Sequence, residues 1–150
     1  MSIMANFINK VIVGIMTAYT AFCLSFSFSS AAVPNYTQED INLLAEVMYH
    51  ENWNTDSEHL AAYYTGAVVM NRVKSKEWPN TIKEVLYQKG QYSTTKKFFT
   101  KEIPTECYEL AEMILRDGTP DVPENVIFQS MRKLGKGTWK KVNTDYFCYG

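Results

Sequence analysis

The residues best suited to acid–base chemistry lie in one short stretch, Val47-Met48-Tyr49-His50-Glu51-Asn52-Trp53, with a second histidine at His59. A histidine followed at once by a glutamate suggests the helix of a zinc peptidase, which needs a further histidine three residues after the glutamate. That position is Asn54, and His50 and His59 are the only histidines in the chain. No metal and no cofactor are therefore expected. The same shortage of bases counts against a serine or cysteine nucleophile, which must have its proton taken by a neighbour within hydrogen-bond reach. What remains is proton transfer by a carboxylate, and Glu51 is the best placed. With Ile41 as origin and about 100° per residue, Leu44, Val47, Met48 and Glu51 fall at about 300°, 240°, 340° and 280°, all on one helix face. A carboxylate on an apolar face either pairs with a cation or sits partly desolvated, where its protonated form is favoured and can serve as a general acid. The plain alternative is a solvated charge near a helix end.

The elements that must position Glu51 can be read from caps and periodicity. Thr37 with Asp40 approximates a capping box, and the helix that follows runs to about Glu51. The polar stretch Asn52-Trp53-Asn54-Thr55-Asp56-Ser57 ends it and leaves Glu51 beside a gap. A second helix is expected from near Asp56 or Ser57 to about Lys74. Its Ala61, Ala62, Gly66 and Ala67 allow close approach by neighbours, so it reads as the central helix. Thr81 with Glu84 caps a short helix, Ile82 to Tyr87 or Gln88, that Gly90 stops. Gln91-Tyr92-Ser93-Thr94 forms an irregular polar loop. A last helix is expected to be capped by Thr105 after Pro104 and ended by Gly118. Val126 to Gln129 then reads as a strand, Leu134 to Gly137 as a turn, and Asp145 to Tyr149 as a returning strand. The fold class is α+β, predominantly helical, with a short C-terminal antiparallel β element.

Four blocks of this chain resemble the SleB-type spore cortex-lytic and cell wall hydrolases: Val47-Met48-Tyr49-His50-Glu51, Ala67 to Ser75 with its V-x-N-R-V-x-S pattern, Trp78 to Val85 with P-N-T-I, and Gln88 to Ser93. The resemblance is strongest from Leu43 to Thr94 and fainter in the closing strands. It implies a small lysozyme-like domain that cuts peptidoglycan glycan strands between N-acetylmuramic acid and N-acetylglucosamine, with Glu51 as the catalytic glutamate. Lytic transglycosylation is the favoured course. A muramidase using water and a non-catalytic peptidoglycan-binding module are the alternatives. The family's Gly-Gln-aromatic-Ser loop carries over to Gln91, Tyr92 and Ser93 as groove contacts, and Trp53 and Asn71 complete the substrate-binding candidates. For Asn71 and Arg72 a role in tying helix ends together is the favoured reading, and for Trp53, Trp78 and Trp139 core or loop packing is. The family's Ala-Arg-Gly-Glu turn is replaced here by Asn52-Trp53-Asn54 and a bend about two residues longer, which puts the contacts of that turn in doubt.

Composition agrees with an exported enzyme. Residues 1–32 carry one charge, Lys10, then the apolar run VIVGIMTAYTAFCLSFSF, and end in Ser29-Ser30-Ala31-Ala32, the pattern of a signal peptide cut after Ala32. If uncut, the same run would be a membrane anchor. Residues 33–150 then make one catalytic domain of ordinary size, expected to act as a monomer on the cell wall or spore cortex. They hold fourteen cations against sixteen carboxylates, which disfavours nucleic acid as a partner. Aromatic residues make up 14% of the chain, and ten are tyrosines, enough to pack a core and also line a sugar groove. Cys107 and Cys148 could pair in an oxidising compartment, although spacing does not say whether they meet.

Overall fold

The computed structural model describes residues 35–150; the expected signal segment lies outside them. Four α-helices come first: α1 (Gln38–Asn52), α2 (Leu60–Lys74), α3 (Ile82–Tyr87) and α4 (Thr105–Asp117), with a 3-10 turn at Ser93–Lys97 between α3 and α4. Three antiparallel strands follow, β1 (Val126–Ser130), β2 (Thr138–Val142) and β3 (Asp145–Tyr149), in the order β1-β3-β2. The α+β class is as expected, with one strand more than the sequence suggested. β2 escapes notice because its Lys140 and Lys141 are exposed and it lies at a sheet edge, where lysines discourage further pairing. Among the described residues no helix is long and apolar enough to cross a membrane.

α2 is the central helix for a geometric reason. Its Ala62 and Val69 join one apolar cluster with Leu44, Val47 and Met48 of α1 and Ile114 of α4. Its Ala61, Tyr64, Ala67 and Val68 join a second with Val126 and Phe147 of the sheet. Gly66 permits the close contact: a Cβ there would lie 2.7 Å from Ile114 Cδ1 and 3.0 Å from Met48 Sδ. Cys107 and Cys148 are both buried and free. Cys107 donates to the Ala45 carbonyl at 3.3 Å, and burial, reinforced by Glu46, pushes its thiol up to about 12, so it is inert at neutral pH.

Helix starts follow the expected caps in two cases of four. Thr37 and Asp40 form a complete capping box for α1, and Thr81 caps α3 by accepting from the Glu84 amide at 3.2 Å. α4 instead has Pro104 at its cap position and Thr105 as its first residue. α2 begins later than expected, at Leu60, behind His59 in a left-handed conformation (φ 54°). In the bend between, the His59 ring stacks on Trp53 at 3.8 Å, and Asp56 accepts from the Leu60 and Ala61 amides at 2.8 and 3.0 Å. Asp56 therefore caps α2 from outside the helix.

This cap predicts a pH dependence. Burial, the largest single influence, would raise the Asp56 carboxyl, but hydrogen bonds from the Ala61, Leu60 and Glu58 amides and the Thr55 hydroxyl together hold the group below the usual carboxylate range. A depressed folded-state value stabilises the fold above the unfolded value of about 3.9 and ceases to do so as pH falls through the folded one. Asp56→Ala is expected to cost about 1 kcal/mol at neutral pH. The gap from wild type in urea titrations should narrow steadily below about pH 4.

Candidate active site

Glu51 occupies the last turn of α1 and is partly buried. It borders a cleft of about 240 Å³ to which five elements contribute: Glu51 from α1, Arg72 from α2, Gln91 and Tyr92 from the loop after α3, Gln129 from β1 and Asp145 from β3. Ser130 and Met131 also line it. A larger depression of about 710 Å³ runs along Val73 to Glu84, but its one carboxylate, Glu84, is taken up in capping by Thr81.

Glu51 accepts a short hydrogen bond from the Thr94 hydroxyl, a neutral partner on the 3-10 turn. Among the described residues it forms no ion pair, although Arg72 lines the same cleft. A carboxyl oriented by a hydroxyl and unneutralised by a cation can carry a proton and release it. The guanidinium of Arg72 is engaged elsewhere. Its Nε donates to the Ile127 carbonyl at 2.8 Å, and its plane lies over Trp78 at 4.2 Å and near Tyr92 at 5.4 Å.

Tyr92 is buried, and its hydroxyl has no hydrogen-bond partner among the described residues. Burial raises its phenol, the nearby Glu51 raises it further, and Arg72 acts in the opposite direction. The phenol thus stays a donor beside the acid. Gln129 has a similarly unmatched buried oxygen, Oε1. Behind them lies buried Asn52, whose side chain meets Thr65 Oγ1 at 3.0 Å. In the amide orientation that satisfies its neighbours, Asn52 accepts from Gln129 Nε2 at 2.7 Å and donates to Asp145 Oδ2 at 3.3 Å. This amide links the end of α1 to two strands, and so fixes Glu51 relative to Asp145.

The other sequence candidates fall at different depths. Gln91 and Tyr92 line the cleft with Glu51, and Ser93 is exposed at the start of the 3-10 turn. Trp53 is buried under His59, away from the cleft lining. Asn71 is also buried, and its amide donates to the Pro123 and Val126 carbonyls at 2.9 and 3.0 Å, tying α2 to β1. Sequence reasoning passed over Thr94, Gln129 and Glu46. Glu46 is almost fully buried one helical turn before His50, whose Nε2 lies 3.2 Å away, and the His50 ring stacks on Phe98. Its i, i+4 spacing to His50 was the available signal.

A carboxyl at the junction of a helical core and a small sheet, walled by aromatic and amide side chains, is suited to proton transfer. Comparison with known proteins gives the family. The sequence model described as cell wall hydrolase matches residues 57–147, and the chain belongs to that family. Two spore cortex-lytic enzymes from Bacillus cereus are each 27% identical over 124 residues, covering 77% of this chain. The chain spans about half the length of these curated relatives, 47% of each. The family match starts after Glu51, whereas a stretch covering 77% of 150 residues cannot miss it. No solved structure matches the chain.

Proposed function

We propose that this protein is an exported enzyme that cleaves peptidoglycan glycan strands between N-acetylmuramic acid and N-acetylglucosamine, on the cell wall or spore cortex. Glu51, protonated, donates to the glycosidic oxygen as the C1–O bond breaks. Ionised, it then takes the proton of the muramic acid C6 hydroxyl, which attacks C1 and closes a 1,6-anhydro ring. One carboxyl suffices for both steps, returns to its starting state, and consumes no water. The observation that carries this reading is the Glu51 carboxyl itself: partly sheltered, in a cleft, oriented by a hydroxyl and paired with no cation. Membership of the cell wall hydrolase family supports the substrate.

Asp145 favours a second course. It lines the same cleft, and glycosidases that use water employ a second carboxylate as base or nucleophile. Mass spectrometry of the soluble products from purified sacculi separates the two. The expected chain ends are one water lighter than reducing ends, and Asp145→Asn keeps activity within a few-fold. Reducing ends, with activity lost in Asp145→Asn, would assign the reaction to water. Sedimentation of the protein with sacculi and no soluble product would mark a binding module instead.

A further inference from the structure

The two loops that wall the cleft each carry an adjacent pair of cations just beyond their lining residues. Lys96 and Lys97 follow Gln91, Tyr92 and Thr94, and Arg132 and Lys133 follow Ser130 and Met131. All four side chains are exposed. None forms an ion pair among the described residues, although exposed Lys83 and Arg116 each find a carboxylate. Charge is also segregated along the chain: residues 126–150 contain five cations and one carboxylate, while residues 35–125 contain nine cations and fifteen carboxylates. The two pairs stand within three residues of Thr94 and Met131, which border Glu51 and its cleft, and Lys96 also lines an adjoining depression together with Gln91 and Tyr92. The β1–β2 loop is also held in place. Gly135 has φ 57°, and a Cβ there would fall 2.0 Å from the Tyr149 carbonyl. The Lys136 amide donates to that same carbonyl at 3.0 Å, so the loop is bound to β3.

We propose that these four cations form a subsite for the carboxylates of the stem peptides that hang from the glycan strand. This rests on the glycan-cleavage reading above. N-acetylated wall sugars are neutral, and the negative charge of the polymer sits on stem peptides attached to muramic acid lactyl groups. A strand lying in the cleft projects those peptides outward, toward the rim. Exposed charge pairs are individually weak and salt-sensitive, so the subsite acts by summing several contacts and by steering a polyanion.

The test compares wild type with a variant carrying Lys96→Gln, Lys97→Gln, Arg132→Gln and Lys133→Gln. Substrates are sacculi stripped of teichoic acid, the same sacculi with carboxylates amidated by carbodiimide and ethanolamine, and walls retaining teichoic acid. On stripped native sacculi the variant should show an apparent KM raised about tenfold, with kcat within about twofold. On amidated sacculi the two proteins should be indistinguishable. Equal KM on native sacculi, or the same deficit after amidation, overturns the proposal. So does a deficit confined to walls bearing teichoic phosphates. If wild type releases no product from any substrate, glycan cleavage fails as a reading. Sedimentation of Glu51→Gln protein, with and without the four substitutions, then still tests the carboxylate subsite.

Discussion

Glu51→Gln should abolish release of soluble muropeptides from purified sacculi, a fall of at least about 10³-fold, while leaving the fold intact. The amide is nearly isosteric with the protonated acid and can still accept from Thr94, so the hydrogen bond that orients position 51 survives. No ion pair is lost, because Glu51 makes none among the described residues. What disappears is the acidic proton, which both the anhydro and the water course require. Thr94→Val is the companion variant: it keeps the acid and removes its orientation, so kcat should drop by a smaller factor, on the order of tenfold. Unchanged circular dichroism and melting temperature beside lost activity would confirm that the effect is chemical. A fully active Glu51→Gln protein would refute the assignment of the acid.

Arg72→Ala should be among the most damaging single changes outside the apolar core. Arg72 is 4% exposed and has no carboxylate partner among the described residues, yet it joins three parts of the molecule. Its Nε satisfies the Ile127 carbonyl of β1, and its planar face packs on Trp78 and approaches Tyr92. Truncation leaves a buried carbonyl unpaired, empties the space between two aromatic rings and frees the loop that carries Tyr92. The expected loss is about 3 kcal/mol, read from the midpoint of urea unfolding at unchanged slope. Arg72→Lys keeps the charge but cannot both donate sideways and stack flat, so it should recover less than half of the loss. If Arg72→Ala is as stable as wild type, Asn71 and the apolar packing of α2 on Val126 hold the α2–β1 junction without it.

Much of the local architecture was legible in the chain because it depends on near neighbours. Thr37 with Asp40 and Thr81 with Glu84 announce α1 and α3, since a hydroxyl and a carboxyl three residues apart satisfy the open amides of a first turn. The small residues of α2 announce a buried helix, because only they let two neighbours pack so close. Periodicity put Glu51 on the apolar face of α1, and the family resemblance added Gln91 and Tyr92; all three line one cleft. The start of α2 and the strand β2 were misread or missed. The first is set by Asp56 reaching amides four and five residues ahead, and the second by its pairing to β3.

The sequence by itself determined four helices, the caps of α1 and α3, the absence of an H-E-x-x-H motif and the one glutamate to watch. Only the tertiary structure decided what surrounds that glutamate. Thr94 lies 43 residues away in the chain, and Gln129 and Asp145 come from strands that meet α1 through Asn52. Tertiary packing also buried Trp53 and Asn71, groove candidates for which the sequence already favoured packing and a tie between helix ends. The physical reason is range. Capping and helical periodicity act over three or four residues, whereas the walls of a cleft are set by which buried polar groups find partners once distant segments have packed.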